Sequence, residues 1–334
     1  MCMRILVTGG AGFIGTNFSL LAVKTGLKVL ALDNLSRKGV EKNLEILKKD
    51  RRIGFKKIDI RNPLPTSLGK FDAILHLASS CSTAISLKNP SKDFLDNALG
   101  TVNVLEFARK NGKIPVIYAS TCKVYTTELN TWPIKEEKMR YSFINKAGVA
   151  ENGPVEAYGK YLRAPYGCSK YTGDIYCQEY HSTYHLPVVI NRMSAVFGKY
   201  QRGSSESGFI YWFIKAKKYN LKITVFGNGK QARDALWGDD LAQLFLIQLK
   251  NINKHNGQIY NLGGGFKNSI SILELIEYLD KKGGKPLSVT FEPERQADLK
   301  VYVTDIRKIS KSSNWRPKTS IFNGIDRLWK EKDL

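Results

Sequence analysis

Acidic residues are scarce in this 334-residue chain: 30 aspartates and glutamates stand against 52 lysines and arginines, leaving a formal charge of +22. The surplus is diffuse. Lysines run along the whole chain, and the densest runs, Lys48 to Arg52 and Lys215 to Lys218, are short and read as solvated helix ends. That pattern excludes nucleic-acid binding as the main function, which needs a basic face interleaved with aromatics. A diffuse positive field instead collects anionic small molecules. Cysteine is sparse too. Cys2, Cys81, Cys122, Cys168 and Cys177 are odd in number and contain no C-x-x-C. A zinc ribbon and a disulfide framework are therefore excluded, and reduced thiols in a cytoplasm are expected. Two of the few histidines, His181 and His185, have metal-pair spacing. Without an HExxH or a neighbouring acid cluster they read as a helix-end surface pair, and no metal site is expected. No apolar run approaches the ~18–20 residues that span a bilayer, so no membrane span is expected. The stretch MCMRILVTGG lacks a charged region followed by a long apolar one, so no signal peptide is expected either.

What the chain does have is material for a core: 43% of residues are apolar, too many for a disordered chain. The length suggests two domains, or one large α/β unit with an appended lobe. Strands are expected at Met3 to Thr8, Lys28 to Leu32, Phe55 to Ile58, Ala73 to Leu77, Val116 to Ala119 and Val188 to Ile190. Between them lie helical stretches at Phe13 to Lys24, Phe94 to Lys110 and Tyr166 to Tyr184. This alternation predicts an α/β fold, a doubly wound parallel (Rossmann) sheet with helices on both faces. From Tyr125 to Pro165 the pattern breaks into Pro, Gly, Asn and charged residues, the mark of a functional loop or lid. The last third, with helices at Leu241 to Leu249 and Ile272 to Leu279, reads as a smaller C-terminal α/β lobe resting on the carboxyl edge of the sheet.

The first strand runs into Thr8-Gly9-Gly10-Ala11-Gly12-Phe13-Ile14-Gly15. Glycines at 9, 12 and 15 permit a tight turn, close approach of backbone to a pyrophosphate and close helix-to-strand packing. The following helix then offers its N-terminal amides to the phosphates. Asp33 ends the next strand, 18 residues after Gly15, where a carboxylate accepts from the adenosine ribose hydroxyls and repels a 2'-phosphate. NAD is therefore favoured over NADP, although Arg37 and Lys38 lie just downstream and partly offset that repulsion.

Tyr166-Gly167-Cys168-Ser169-Lys170 sets a tyrosine and a lysine four apart on one helix face. A lysine ammonium beside a phenol lowers its pKa, so the phenolate acts as a base near neutral pH. Ser120-Thr121, at a strand end, offers a hydroxyl to share that proton.

These motifs together resemble the extended short-chain dehydrogenase/reductases that act on nucleotide-activated sugars. TGGAGFIG is similar to that family's cofactor loop, and the resemblance implies NAD contacts from Gly9, Gly12, Phe13, Ile14, Gly15, Asp33, Asn34, Ser36 and Arg37. Asp59-Ile60-Arg61 resembles the adenine-contacting turn, Leu77-Ala78-Ser79 the segment under the cofactor, and Asn97 a buried asparagine in the next helix. Thr121, Tyr166 and Lys170 align with the catalytic triad, Tyr166 and Lys170 also touching the cofactor. Gly227 to Asp234 resembles the element whose arginine, here Arg233, contacts a nucleotide-diphosphate sugar. Arg295 and Asp298 resemble a second pair there, and Asn191 and Lys123 are placed at the substrate as well. The implied division is 1–190 with about 235–262 for NAD, and 191–234 with 263–334 for the sugar nucleotide. A homodimer or homotetramer is implied too.

The residues after Thr121 separate the family's reactions. Its dehydratases carry an Asp-Glu pair there and its decarboxylases a glutamate, whereas this chain has Cys122-Lys123. That leaves an epimerase or a simple reductase. The segment DNLSRKG from Asp33, the lysine at 123, the long stretch between Tyr125 and Tyr166 and the run Ser207 to Phe213 resemble the branch that epimerises carbon 2 of CDP-3,6-dideoxyhexoses, the CDP-paratose/CDP-tyvelose type. Thr126 and Ala195 depart from the family pattern, and the second change leaves the nucleotide base open. A carbon-4 epimerase of a UDP-sugar remains the alternative. A non-catalytic NAD-binding scaffold is disfavoured by the intact Thr121/Tyr166/Lys170 set. Lys123 either orients a substrate hydroxyl or pairs with a carboxylate. Arg233 and Arg295, with forks suited to a diphosphate, read as substrate ligands rather than structural ion pairs.

Overall fold

The computed structural model describes residues 2–206, 208–332 and 334; Ser207, which begins the run resembling the carbon-2 branch, lies outside them. Seven parallel strands form the main sheet: β1 (Arg4–Thr8), β2 (Lys28–Asp33), β3 (Ile53–Lys57), β4 (Ala73–His76), β5 (Val116–Thr121), β8 (Val188–Met193) and β12 (Ile259–Leu262). Their order is β12-β8-β5-β4-β1-β2-β3. The register sets Ile5 opposite both Val29 and Ala73. The strands read as aliphatic runs because both faces are covered. One face packs on α1 (Phe13–Lys24) and α8 (Gly238–Lys250) through Phe18, Leu241 and Phe245. The other packs on α5 (Gly100–Lys110) and α6 (Ala164–Tyr184) through Val104, Phe107, Cys177 and Tyr180. The winding direction reverses between β1 and β4, which opens a crevice beyond the carboxyl ends of those two strands.

Strand β8 extends to Met193, past the boundary placed at 190 from the sequence, and β12 joins the main sheet beside it. The smaller lobe holds a parallel pair, β10 (Ile223–Phe226) with β14 (Val289–Glu292). A second small sheet is built on β11 (Ala232–Trp237), with β9 (Ala195–Phe197), β13 (Ser269–Ser271) and β15 (Val301–Tyr302). Its core includes Phe197, Trp237, Leu275 and Ile325.

Several local expectations are corrected. Residues 40–47, to which no element was assigned, form helix α2 (Val40–Leu47). The helix expected from Phe94 begins earlier, as α3 (Thr83–Lys88) and α4 (Pro90–Phe94). It passes through a π turn at Leu95–Leu99 into α5. The stretch from 125 to 165 holds a 3-10 helix (Thr127–Thr131) and a hairpin of β6 (Ile134–Glu136) and β7 (Tyr141–Phe143). Lys217, at the end of α7 (Phe209–Lys218), is not solvated. Its stem is buried and its ammonium meets Asp280 at 2.6 Å, because the helix carrying Asp280 packs across it.

Candidate active site

The crevice is built first from glycine. Gly9 takes a positive φ of 67°, and a Cβ there would stand 2.8 Å from Ala78 N, so the loop after β1 and the segment after β4 touch through backbone. A Cβ on Gly15 would collide with Gly9 O and the Gly10 backbone. Gly12 caps α1, and its missing side chain leaves a cradle at the helix N-terminus, where a Cβ would meet only Gly9 before open space. Phe13 turns inward against Gly198 and Gly238 and serves packing, with Ile14 partly buried behind it.

Asp33 sits at the end of β2 and accepts from Leu35 N (2.8 Å) and Ala11 N (3.2 Å). Burial raises its pKa, and those two amides with Arg37 pull it back. Asn34 donates to Asp59 (3.1 Å) and accepts from the Ser36 amide (3.0 Å). Arg61 grips Asp59 through two nitrogens and holds its carboxyl well below the ordinary range. Ile60 is buried against Gly100. Arg37 crosses to Cys81, with Nη2 2.7 Å from Sγ. The Leu77 and Ala78 amides both donate to Thr8 Oγ1 at 3.2 Å. Ser79 follows in that same segment.

On the catalytic side, Thr121 ends β5 and caps the short turn Cys122–Val124. Ser120 turns the other way and donates to Asp174 (2.7 Å), so Thr121 is the hydroxyl that meets Tyr166. Tyr166 and Lys170 lie in the first two turns of α6. Burial pushes the Tyr166 phenol well above its ordinary value, against the pull of the Thr121 hydrogen bond. Here the protein by itself departs from the expected lowering, since desolvation outweighs the nearby lysine. Burial also brings the Lys170 ammonium down to about 8. That ammonium lies 4.3 Å over the Tyr118 ring and has no hydrogen-bond or ion-pair partner among the described residues.

Across the cleft, Asp298 gathers the cations of the smaller lobe and of the β5 edge. It accepts from Arg233 (2.7 Å), from Lys123 (3.4 Å) and from its neighbour Leu299 N (3.0 Å). Burial works against its charge, yet Arg233 and Lys123 hold its carboxyl well below the usual range. Lys123 therefore does pair with a carboxylate, and that carboxylate faces the cleft. Arg295 lies over the Phe226 ring at 3.8 Å. Asn191 is a correction. Its amide is fully buried and exchanges two 2.9 Å bonds with Gln248, so β8 points it at α8 and not at the cleft.

Residues 5–263 match the NAD dependent epimerase/dehydratase family. The chain belongs to that family. It is 35% identical to the CDP-paratose 2-epimerase of Salmonella typhi, with 98% of each chain covered. It is 32% identical to the UDP-glucuronate 4-epimerase of Thermodesulfobacterium geofontis, over 98% of this chain and 96% of that one. Among solved structures, the UDP-glucuronic acid 4-epimerase of Bacillus cereus, in complex with UDP-glucuronic acid and NAD, superimposes with a TM-score of 0.83 at 27% identity, covering 98% of both chains. As a member of the NAD dependent epimerase/dehydratase family, the chain is an NAD-dependent enzyme of the nucleotide-sugar epimerase/dehydratase type.

The residues present fit NAD. The Gly12 cradle after β1, the Asp33 carboxylate at the end of β2 and the unengaged Lys170 ammonium over the β5 residue Tyr118 supply a phosphate seat, a ribose acceptor and a free cation. Buried Asn97 leaves Oδ1 without a partner while its Nδ2 donates to Asp93 and Ser169. Three residues of this family member's site escaped the sequence reading. His76 bridges Thr8 (2.7 Å) and Thr101 (3.1 Å), and burial takes it down to about 3, so it stays neutral. Asp93 and Ser169 are bonded to each other beneath Tyr166 and Lys170. The available sign was spacing: Asp93 stands four before Asn97, which puts both on one helix face.

Proposed function

We propose that the protein epimerises carbon 2 of a nucleotide-diphosphate sugar, of the CDP-paratose/CDP-tyvelose type, with bound NAD. The observation that carries the reading is the end of β5. Where elimination of water needs a further acid and base, Thr121 is followed by a buried thiol and by Lys123, a cation held toward the cleft by Asp298. The full-length identity to a CDP-paratose 2-epimerase supports the same branch. When bound, NAD takes up a hydride from the sugar and returns it.

The chain's own residues handle the proton and the pose. Tyr166 removes the hydroxyl proton at the reacting carbon, and Lys170 supplies the positive charge that the buried phenol needs to ionise. Thr121 holds the same oxygen through its hydroxyl. Arg233 and Arg295 clamp the diphosphate, and Lys123 orients a sugar hydroxyl. The ketone intermediate must turn within the cleft, after which Tyr166 returns the proton. Exposed apolar side chains on the π turn and α6 (Leu95, Leu99, Ile175, Tyr176) support a homodimer through these helices.

The test is proton NMR of the protein with CDP-, UDP- and GDP-hexoses in gluco and manno forms, and with a CDP-3,6-dideoxyhexose. A new anomeric signal showing gluco-to-manno coupling is the expected result. Galacto products alone would replace the reading with carbon-4 epimerisation.

A further inference from the structure

Asp93 is 2% exposed in α4, beneath the first turns of α6. Ser169 Oγ donates to its Oδ2 (2.5 Å) and Asn97 Nδ2 to its Oδ1 (3.2 Å). Asn97 Nδ2 also donates to Ser169 Oγ (3.0 Å), closing a three-membered ring of side chains. Two neutral donors are thin compensation for the desolvation of a buried carboxylate. A carboxamide at position 93 would accept from Ser169 equally well. Its nitrogen would then stand where Oδ1 now accepts from Asn97 Nδ2, so Asn97 would have to turn over to present Oδ1, the atom this ring leaves unpartnered. A turned Asn97 accommodates the amide, so hydrogen bonding alone does not account for the charge. It lies beside the two groups whose charge matters to the reaction. Ser169 directly precedes Lys170 and accepts Asn97 while donating also toward the Tyr166 carbonyl.

We propose that Asp93 is a positioning residue of the active site: a fixed, buried anion under the catalytic helix that keeps the Lys170 ammonium charged and holds its face of α6 through Ser169 and Asn97. The proposal rests on the reading of Tyr166 as base and Lys170 as its cationic partner. The other groups around that pair leave this task to few residues. On α6, Asp174 is committed to Arg192 (3.0 Å), and Cys177 is fully buried with its thiol pushed well up, so it stays neutral. From β4, His76 is neutral, and from β5, Tyr118 is held protonated by burial. Cys81, on the loop after β4, faces Arg37. The Cys122 thiol at the end of β5 is pushed up by burial, and Asp96 on the π turn pairs with Lys92 and Arg61. Asp93 lies beneath the turn of α6 that carries both, bonded to Ser169, which directly precedes Lys170 and whose hydroxyl also lies 3.1 Å from the Tyr166 carbonyl.

Asp93→Asn keeps the shape and removes the charge. In protein labelled with 13C at the lysine side chain, with the Lys170 signal assigned by its loss in Lys170→Arg, the wild-type midpoint is expected at about 8. In Asp93→Asn it falls by about one pH unit, tenfold in proton affinity. In turnover assays both limbs of the kcat/KM profile move to lower pH, because a lost anion eases ionisation of Tyr166 and hinders protonation of Lys170. Ser169→Thr keeps the hydroxyl donor and the Asp93 charge and leaves both limbs in place. A merely structural role would lower the rate by one factor at every pH. An unmoved Lys170 midpoint in Asp93→Asn overturns the proposal. Should that variant not fold, Asp93→Glu must keep the midpoint near that of the wild type, and a fall overturns it. A shifted midpoint in a protein without epimerase activity upholds the role of Asp93 and removes the functional reading instead.

Discussion

At the scale of single residues, burial decides more of this protein's chemistry than charge pairing does. Tyr166, Lys170, His76 and Asp93 are all shifted first by desolvation, each toward its neutral form. His76 carries a consequence for stability. Its folded value of about 3 lies below the ordinary 6.5, so between those limits the unfolded chain binds one more proton than the folded one. Its contribution is full above about pH 6.5 and is lost progressively as pH falls. The slope is about 1.4 kcal/mol per pH unit. Chemical denaturation from pH 7 to pH 4.5 is expected to show a loss of about 2 kcal/mol that His76→Gln removes. Tyr166, Lys170 and Asp33 stood out in the sequence as residue types at given spacings. The direction of the Tyr166 shift was not, because it depends on how much protein closes over the ring.

Among the elements, the glycine loop and α6 carry the proposed function, and they differ in legibility. The loop is local: three glycines, a strand before them and a helix after them settle its shape. A Cβ on Gly15 would drive α1 away from Gly9 and Gly10. Gly15→Ala is expected to fold with unchanged far-ultraviolet circular dichroism yet to purify with at least about tenfold less NAD, read by extraction and absorbance. Helix α6 showed its Tyr-x-x-x-Lys face in the sequence, but its supports come from elsewhere. Asp93 and Asn97 reach it from a helix whose π turn no pattern announced. Asp174 meets Arg192 only because β8 packs against α6. Asn191 was misread for the same reason. Alternation along a strand assigns a residue to one of two faces, and only the packed helix α8 tells which face is the cleft.

For the molecule as a whole, the clearest unused feature is its positive surplus. The charge of +22 is spread rather than gathered, so its effect is a field that draws in a doubly charged nucleotide sugar. Raising sodium chloride from 50 to 500 mM is expected to lower kcat/KM several-fold with kcat nearly constant, since long-range attraction is screened within about 10 Å at 0.1 M salt. A salt-independent kcat/KM would show that the Arg233 and Asp298 cluster acts only at contact. The amino-acid sequence by itself determined the strand-and-helix alternation, the glycine loop with its acid and the tyrosine–lysine pair. Each is a short-range pattern whose chemistry is written within a few turns of chain. Only the tertiary structure decided the groups that meet across the fold: Asp298 with Lys123 and Arg233, Asp174 with Arg192, His76 with Thr8, and Asp93 with Ser169. Those partners lie 18 to 175 residues apart, and the apolar burial that packs their elements together is contained in no local window.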